Sequence, residues 1–461
     1  MNLRQQTIQK SVSVSGVGIH TGKSATLKFL PAPPNHGIKF TRIDLPGRPI
    51  IDADVDYVVD VSRSTTLEKD GGRVHTVEHV LSALMGMQID NVLMEIDGPE
   101  VPILDGSAEQ FLAALEAAGV EEQKALREYY EPKGEVVYEE PDRKVKLHAA
   151  PSGQYNLHVT IDYDTPYWPV QQAELPVIRQ FGTEIGASRT FCFFHEIEPM
   201  LSQNLIKGGD LDNAIVIMDQ EVNADELQRI GKLFNRSDIQ VQKEGILNNI
   251  HLRFANEPAR HKLLDLVGDL ALVGKPLKAR ITAERPGHAA NVALAKKLKG
   301  NMKKSSAPVY DPAQEPVKDV NGIMAMLPHR YPFVMIDKVI HMDEKVVCAV
   351  KNITINEPIF TGHFPGNPVF PGVLQVESMV QTGGILVLST VPDPENYWTY
   401  FLAIDRCKFR QKVVPGDTMV TKCTLDGDIK RGIARMECQA FVADKLVCEA
   451  YMTAQIVRKD A

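Results

Sequence analysis

Apolar and polar residues alternate along the last third of the chain in a pattern that predicts an antiparallel sheet. Three alternating runs, at 418–425, 433–442 and 446–457, are joined by short polar turns, as in a β-meander. An earlier strand is expected within 345–355. Between that strand and the meander, 373–391 is apolar on nearly every side of a helix, which is typical of a helix surrounded by a sheet. We therefore expect a long helix wrapped by an antiparallel sheet.

The first 300 residues follow a different pattern, in which short strands and apolar-striped helices occur twice. The matching segments are RSTTL, HTVEHVLSALMG and DNVLMEI in the first half and SRTF, DNAIV and RHKLLDLVGDLALVG in the second. A further helix is expected at 107–119. This weak internal similarity suggests two similar α+β lobes that face each other. A cleft between such lobes is a natural place for a binding site.

Two stretches divide the chain into domains. Residues 300–318 carry three prolines, several charges and no apolar periodicity, so this stretch has no face to bury and is predicted to be a linker. A softer break near EYYEPKGE precedes a new set of strand patterns. We therefore expect two lobes, 1–130 and 131–299, and a separate domain at 319–461. The predicted fold class is α+β.

Composition and charge exclude several classes of protein. The 461 residues include 51 Lys and Arg against 59 Asp and Glu, a net charge of −8. The sequence has no run of basic residues that would form a binding surface for nucleic acid. The N-terminus lacks the apolar core of a signal peptide, and no 18 consecutive residues are apolar. We expect a cytoplasmic protein without a transmembrane segment. The six cysteines form no CxxC pair, which argues against a disulfide framework and a thiolate zinc site.

One group of residues has the chemistry of a catalytic metal site. His261, Asp265 and Asp269 recur every four residues in ARHKLLDLVGDL, so they share one stripe of a helix and two of them can ligate one ion. Glu78 and His79 stand at the start of another predicted helix. Two histidines and one aspartate leave an open position on zinc, which suits activation of water, and the adjacent glutamate could accept the proton.

A further histidine could complete this group. His288 follows Asp269 by 19 residues, which is room for a helix, a strand and a turn to return it to the cleft, where Asp269 could hold it as an imidazolium. Such residues taken singly are more often solvated or paired surface groups, and HxxxD is less specific than HExxH. The same ligands also suit iron(II). The pattern alone leaves a metal site and surface ion pairs both open.

Residues 1–300 resemble the LpxC family, the zinc-dependent deacetylases that remove the N-acetyl group of UDP-3-O-acyl-N-acetylglucosamine in lipid A synthesis. The shared blocks are SVSVSGVGIHTGK, HTVEHVLSALMGMQIDN, VPILDGSA, GASRTF, LIKGGDLDNAIV, RHKLLDLVGDLALVG and GHAAN. The resemblance implies that His79, His261 and Asp265 bind zinc and that Glu78 is the general base. The stretch 220–254 looks extended relative to short family members.

The same resemblance implies further roles in the first 300 residues. His288, with Asp269 as its partner, corresponds to a general acid or an oxyanion-stabilising imidazolium. Thr190 corresponds to a hydroxyl that hydrogen-bonds the tetrahedral oxyanion. The residues expected to bind substrate are Lys262, Phe191 and His20.

A second group of residues surrounds the start of the predicted buried helix. Pro371 and Gly372 are suited to a first helical turn, and Glu377 follows about one and a half turns later, with His363 in the loop upstream. A carboxylate on an apolar helix is costly unless it is exposed, paired or retained for chemistry. The free N–H groups at the helix start could stabilise charge on a thioester oxygen.

Residues 319–461 resemble the FabZ family, hot-dog-fold dehydratases that act on 3-hydroxyacyl-[acyl-carrier-protein]. The shared blocks are LPHRYPFVMID, GHFPGNPVFPGVLQVE and DRCKFRQKVVPGD. The resemblance implies that His363 removes the α proton, that Glu377 assists departure of the hydroxyl as water, and that Gly372 donates its N–H to the thioester carbonyl. No cofactor is expected here. Glutamate rather than aspartate on the helix favours dehydration without isomerisation.

The two resemblances together predict a bifunctional enzyme of lipid A and fatty-acid synthesis, with UDP-3-O-acyl-N-acetylglucosamine and acyl carrier protein as partners. Hot-dog active sites usually form across a dimer interface, so we expect a homo-oligomer, either a dimer or a hexamer. Two alternatives stay open. One half could be catalytically silent and serve as an assembly scaffold, or the front half could be a different metal amidase that acts on another acylated sugar.

Overall fold

The chain folds into two compact units, Met1–Asn301 and Met302–Ala461. The computed structural model describes residues 3–197, 207, 213–221, 224–233, 240–242, 245–247, 251–305 and 307–459. Among these residues, none of the helices combines the length and the apolar character that a bilayer crossing requires. All six cysteines are free thiols, as their spacing predicts.

The first half of the first unit is built on a five-stranded sheet. The strands of this half are β1 (Arg4–Ile8), β2 (Val12–Val17), β3 (Ser24–Pro31), β4 (Ile38–Arg42), β5 (Ile50–Asp52), β6 (Val58–Asp60), β7 (Thr66–Lys69), β8 (Gly72–Val74), β9 (Val92–Ile96) and β10 (Val120–Leu126). The sheet has the order β2-β3-β9-β4-β5, in which β9 and β4 are parallel and the other pairs are antiparallel. Its helices are α1 (Glu78–Gly86) and α2 (Glu109–Ala118).

The second half of this unit repeats the same topology. Its strands are β11 (Val136–Glu140), β12 (Val145–Pro151), β13 (Asn156–Ile161), β14 (Gln171–Leu175), β15 (Phe191–Phe193), β16 (Ile215–Ile217) and β17 (Ala279–Glu284). The sheet order β11-β12-β17-β13-β14 again has one parallel pair, between β17 and β13. Its helices are α3 (Phe181–Glu184), α4 (Ala224–Leu233), α5 (Glu257–Ala271) and α6 (His288–Ser305). The two similar α+β lobes predicted from the sequence are confirmed.

Helices α1 and α5 occupy equivalent places in the two lobes and pack against each other. On α1, the predicted core positions Val80, Leu81 and Leu84 are fully buried. The close approach depends on Gly268 of α5, because a Cβ there would lie 2.0 Å from the backbone oxygen of Glu78. Only a residue without a side chain fits at that distance. The crossing therefore brings the N-terminal end of α1 against the middle of α5.

The region between the two units is partly helical. Helix α6 continues to Ser305, so the first residues of the stretch predicted as a linker belong to that helix. From 307 to 319 the described chain has no helix or strand, apart from an isolated bridge at Lys318. The linker prediction missed the helical residues because the basic end of α6 carries no apolar stripe.

The second unit is a six-stranded antiparallel sheet around one long helix. Its strands are β18 (Lys338–Met342), β19 (Val346–Asn352), β20 (Tyr397–Phe409), β21 (Thr418–Leu425), β22 (Ile433–Val442) and β23 (Lys445–Arg458). The order is β18-β19-β21-β22-β23-β20. Its helices are α7 (Val320–Met326) and α8 (Gly372–Leu388), and nearly all of α8 after its first turn is buried. The predicted meander and wrapped helix are confirmed, whereas β20 was not predicted.

Candidate active sites

Three side chains from α1 and α5 converge into a candidate metal site. The ligand atoms of His79, His261 and Asp265 all lie within 4.8 Å of one another. The Nε2 atoms of His261 and His79 are 3.3 and 3.7 Å from Asp265 Oδ1. A tetrahedral ion with bonds of about 2.1 Å has ligands roughly 3.4 Å apart. The described residues therefore include a buried His₂Asp cluster of the right size for a cation.

The two imidazoles are in the form that binds metals. The Nδ1 atom of His261 lies 3.0 Å from the carbonyl oxygen of Ser188. A carbonyl can only accept, so Nδ1 carries the hydrogen and Nε2 presents its lone pair to the cluster. Burial lowers the pKa of His261. Burial, together with the repulsion that a protonated His79 would meet from the adjacent His261 ring, lowers the pKa of His79 to about 3. Both rings are therefore neutral near pH 7.

The carboxylate of Asp265 is the strongest indication of a cation. Among the described residues, its Oδ1 atom is buried and has no hydrogen-bond partner, and its Oδ2 atom accepts from Lys262 Nζ at 3.1 Å. Burial raises the pKa of Asp265, but attraction by the adjacent His261 ring and by the Lys262 cation outweighs burial and holds the pKa below its usual range. A buried anionic oxygen without a donor is costly. A divalent ion held by Asp265 and the two imidazoles would satisfy it.

Glu78 and His288 lie beside this cluster. Burial raises the pKa of Glu78 to about 8, against the opposing charge of His288. The Nε2 atom of His288 is 3.9 Å from Glu78 Oε1, and its Nδ1 atom is 2.9 Å from Asp269 Oδ2. Burial lowers the pKa of His288, but the Asp269 carboxylate outweighs it and raises the pKa to about 9. The structure therefore pairs His288 with Asp269 and leaves Nε2 facing Glu78.

Two residues that the sequence did not single out hold Asp269. Its Oδ1 atom accepts from the Thr65 hydroxyl at 2.5 Å, and its Oδ2 atom accepts from Asn291 Nδ2 at 2.9 Å. The backbone N–H of Thr65 also donates to Glu78 Oε2 at 3.0 Å. Both residues stand within quoted blocks, RSTTL and GHAAN. Threonine and asparagine are so common in loops and caps that nothing in the sequence marked them.

The predicted substrate residues surround the same cavity, which has a volume of about 930 Å³. Its lining includes Thr190, Phe191, Lys262 and His20 as well as the His₂Asp cluster, Glu78 and His288. Lys262 Nζ lies 5.4 Å from the centre of the Phe191 ring. Thr190 is fixed by its backbone, which donates to the Gly106 carbonyl and accepts from Ile215 N, each at 2.8 Å.

Two buried glutamates, neither singled out from the sequence, fix the loops around this cavity. Glu100 accepts from the backbone N–H groups of His20 and Thr21 at 3.0 and 2.8 Å, and so anchors the GIHTG loop. Glu257, at the start of α5, accepts from Arg189 N and Nε at 3.0 and 2.8 Å. This ion pair ties the segment that carries Thr190 to the helix that carries His261.

The lining of the cavity includes both apolar and basic side chains. Phe193, Ile197 and Val216 are among the apolar ones, and Arg63 and Arg143 are among the basic ones. Ile197 and Val216 also belong to a small buried hydrophobic cluster. Part of the stretch 220–254 lies outside the described residues. The cavity thus offers surfaces for an acyl chain and for an anionic group beside the cluster.

The second unit presents His363 and Glu377 near the start of α8. The Nδ1 atom of His363 donates to the Val369 carbonyl at 2.7 Å, so its Nε2 atom keeps a free lone pair. Glu377 Oε1 accepts from Gln381 Nε2 at 2.7 Å and lies 3.5 Å from His329 Nε2. Within the described part of this chain, His363 and Glu377 share no hydrogen bond or ion pair.

Gly372 begins α8, as predicted. A Cβ at this position would lie 2.7 Å from Cε1 of Phe409 on β20, so the helix start packs closely against that strand. The backbone N–H groups of a first helical turn have no partner within the helix. Gly372 N–H is therefore suited to an acceptor outside the helix.

Two similar lobes around a buried His₂Asp cluster, joined to a sheet wrapped around a helix, define a two-part enzyme. Family models match both parts. The model described as UDP-3-O-acyl N-acetylglycosamine deacetylase (LpxC) matches residues 5–236 and 230–300, and a FabA-like domain model matches residues 327–451.

Relatives match the whole chain. A protein from Bacteroides thetaiotaomicron named bifunctional enzyme LpxC/FabZ is 48% identical over 458 residues, which is 99% of each chain. One of the same name from Chlorobaculum tepidum is 44% identical over 467 residues, 100% of each chain. A UDP-3-O-acyl-N-acetylglucosamine deacetylase from Myxococcus xanthus is 42% identical over 64% of this chain and 86% of its own. The chain belongs to the family of bifunctional LpxC/FabZ enzymes, which confirms both resemblances.

Proposed function

We propose that the first unit hydrolyses the N-acetyl group of UDP-3-O-(3-hydroxyacyl)-N-acetylglucosamine and that the second dehydrates 3-hydroxyacyl-[acyl-carrier-protein] to the trans-2-enoyl thioester. The observation that carries the first activity is the buried Oδ1 atom of Asp265, which lies between His79 and His261, has no donor in the described part of the chain, and has Glu78 nearby. Full-length relatives named bifunctional LpxC/FabZ support the pairing of the two activities.

The metal proposed for the first unit is zinc, held by His79, His261 and Asp265. Two neutral imidazoles and one carboxylate are its usual ligands in hydrolases. Zinc bound there would polarise the amide carbonyl and lower the pKa of the attacking water. Iron(II) suits the same ligands, so metal analysis of freshly purified protein distinguishes the two.

The side chains around the cluster supply the proton transfers. Glu78 accepts a proton from the attacking water. In the metal-free protein burial raises the pKa of Glu78 to about 8, and the charge of a divalent ion bound beside it would lower that pKa and favour the carboxylate that acts as the base. His288, held as a cation by Asp269, stabilises the oxyanion or protonates the departing amine. The Thr190 hydroxyl adds a hydrogen bond to the oxyanion. The products are acetate and a free glucosamine amine.

The cavity lining supports an acylated sugar nucleotide as the substrate. The lining residues Phe193, Ile197 and Val216 suit contact with the acyl chain, and Arg63 and Arg143 offer charge for a diphosphate. Lys262, Phe191 and His20 line the same cavity as the cluster, and in this proposal they contact the sugar. A volume of about 930 Å³ suits a ligand of this size.

Acetate release tests the first activity against the rival amidase. The protein is loaded with zinc and offered the UDP-linked acyl-N-acetylglucosamine and the same sugar without the nucleotide. We expect turnover of the UDP-linked substrate and loss of turnover in Glu78→Ala. Equal turnover of the free sugar would favour a different metal amidase. No acetate release from either substrate would favour a silent front half.

The second activity needs no cofactor in this proposal. His363 removes the proton α to the thioester through Nε2, because its Nδ1 hydrogen is committed to the Val369 carbonyl. Glu377 protonates the departing hydroxyl, and Gly372 N–H hydrogen-bonds the thioester oxygen. Dehydration of a 3-hydroxyacyl carrier-protein thioester, measured in wild type and in His363→Ala, tests this assignment. Activity that survives the substitution would remove it.

A second copy of the chain completes this site. In the described part of one chain, His363 and Glu377 share no hydrogen bond or ion pair, and β20 is an edge strand that pairs only with β23 among the described strands. Long edge strands with exposed apolar side chains favour pairing with another chain. The exposed side chains on β20 include Trp398, Tyr400, Leu402 and Ile404. We propose a dimer or a hexamer in which His363 faces the partner subunit's Glu377.

Two further expectations from the sequence belong to this proposal. The cytoplasm is the location proposed, because acyl carrier protein is the expected partner of the second unit. The proposed domain limits are 1–130 and 131–299 for the lobes, 300–318 for the linker, whose first residues continue helix α6 to Ser305, and 319–461 for the dehydratase domain. The five-stranded sheet of each lobe lies within its limits, which supports the division.

A further inference from the structure

Thr65 is a fully buried residue that the roles assigned above leave without a function. It lies in the chain between β6 and β7. Both its backbone N–H and its backbone carbonyl form hydrogen bonds with residues at the start of α1. Its N–H donates to Glu78 Oε2 at 3.0 Å, and its carbonyl accepts from Val77 N at 3.2 Å. These two bonds fix Thr65 relative to the carboxylate proposed as the general base.

The side chain of Thr65 reaches the other lobe. Its hydroxyl donates to Asp269 Oδ1 at 2.5 Å and lies 3.5 Å from Nδ1 of His288. The second oxygen of Asp269 accepts from His288 and Asn291, each at 2.9 Å. A buried carboxylate keeps its orientation when several donors share its two oxygens. One residue therefore hydrogen-bonds to both carboxylates that flank His288.

We infer that Thr65 is a positioning residue that sets Glu78 and the Asp269–His288 pair in register for deacetylation, an inference that rests on the function proposed above. Glu78 comes from α1 in one lobe, whereas Asp269 and His288 come from α5 and α6 in the other. Without the hydroxyl, Asp269 Oδ1 loses its donor, and the carboxylate and the His288 ring can turn away from Glu78. The distance between Glu78 and His288, the two groups proposed to transfer protons, then increases, while the metal ligands stay in place.

This role predicts an effect on turnover and not on substrate binding. Thr65 is absent from the cavity lining in the described part of the chain, so its side chain has no contact to offer the substrate. A hydrogen bond from a hydroxyl to a charged carboxylate contributes more free energy than one between two neutral groups. Thr65→Val keeps the shape of the side chain and removes the donor, whereas Thr65→Ser keeps the donor and removes a methyl group.

A matched control is available one residue along the chain. Thr66 is as buried as Thr65, but its hydroxyl lies 3.0 Å from His75 Nδ1, away from the proposed machinery. For Thr65→Val we expect kcat for deacetylation to fall roughly 10- to 100-fold with KM within about twofold of wild type. Thr65→Ser and Thr66→Val should keep kcat within about threefold. Metal content, measured on the same preparations, should be equal in all four proteins.

A double-substitution cycle tests whether Thr65 acts through Asp269. In an Asp269→Asn background, adding Thr65→Val should lower kcat by less than about twofold, because the bond it removes no longer has its charged acceptor. If the fold-changes in kcat of the two single substitutions multiply in the double variant, the inference is overturned. An unchanged kcat in Thr65→Val, or a rise in its KM alone, would also overturn it. If Thr65→Val does not fold, Thr65→Ala is measured in its place.

The outcome separates this inference from the proposed function. A wild-type protein that releases acetate, with a Thr65→Val variant of equal kcat, overturns the positioning role and leaves the proposed function standing. A zinc-loaded wild-type protein that releases no acetate overturns both.

Discussion

The backbone oxygen of Glu78 lies where a side chain at Gly268 would begin: a Cβ there would be only 2.0 Å away. This contact joins the two equivalent helices α1 and α5 of the duplicated lobes. Glu78 and His79 start α1, and Asp265 and Asp269 flank Gly268 on α5. The crossing of the two helices therefore brings the ligands of the His₂Asp cluster together and places Glu78 and Asp269 beside them. The candidate active site of the first unit therefore depends on the absence of a side chain at Gly268.

Gly268→Ala should separate the two helices and disperse the cluster. A displacement of about 1 Å at a catalytic site costs on the order of 100-fold in rate, and overpacking costs about 1–3 kcal/mol of unfolding free energy. We expect loss of bound metal, at least about 100-fold lower acetate release and a lower melting temperature. Gly300→Ala is the control, because, apart from the adjoining residues and the backbone of its own helix, no atom of the described residues lies within 4 Å of a Cβ there. A Gly268→Ala protein with normal metal content would contradict this role.

The His288–Asp269 pair should make the metal-free protein less stable at alkaline pH. The pKa of His288 is raised from 6.5 to about 9 by Asp269, after the opposing effect of burial. Its stabilising effect is therefore complete below pH 6.5 and is lost as pH rises through about 9. We expect the unfolding free energy of wild type, relative to His288→Gln, to fall by on the order of 3 kcal/mol across this window. Parallel curves for the two proteins would refute it.

Gln381 should support Glu377 in the dehydratase site. Its Nε2 atom donates to Glu377 Oε1 and to the Phe333 carbonyl, and its Oε1 atom accepts from Met335 N. Gln381→Met leaves these groups unsatisfied, so we expect roughly 1–3 kcal/mol lower stability and a roughly tenfold lower kcat for dehydration. Denaturant unfolding and enoyl-thioester formation measure the two effects.

Gln375→Met is the matched control for Gln381. Gln375 lies on the same helix and is about as buried, but its Oε1 atom accepts no hydrogen bond from the residues that the structure describes. We expect a smaller loss of stability and a kcat close to that of wild type. Equal effects of the two substitutions would show that Gln381 contributes only as a buried amide.

A site shared between subunits predicts complementation. His363→Ala and Glu377→Ala should each be inactive as dehydratases. Unfolding and refolding the two as a mixture should restore about a quarter of the wild-type activity per site, because half of randomly assembled dimers are mixed and each mixed dimer has one intact site. Activity that stays at the level of the separate variants would place both residues of a site in one chain.

Much of the fold follows from local patterns. The alternation at 418–425 and 433–442 is reproduced by β21 and β22, because one face of each strand packs on the buried helix. His261 and Asp265 are one helical turn apart, so their convergence on α5 follows from spacing alone. The weak repetition in the first 300 residues corresponds to two sheets with the same strand order.

Other features depend on contacts between distant parts of the chain. Thr65 bonds to Asp269, and no local pattern distinguishes its hydroxyl from those of other loop threonines. Strand β20 was missed because its residues Asp405, Arg406 and Lys408 interrupt the alternation of apolar and polar residues. Its pairing with β23 also contains two irregularities in register. A strand that lies at a sheet edge does not need a clear apolar face.

Chelation followed by assay of both activities on one preparation tests the central claim most directly. The protein is depleted of metal, its metal content is measured, and acetate release and enoyl-thioester formation are followed before depletion, after it and after zinc is restored. Two independent sites predict that depletion abolishes deacetylation, that zinc restores it, and that dehydration is unchanged throughout. Deacetylation that persists in metal-free protein, or dehydration that falls with the metal, would contradict the account.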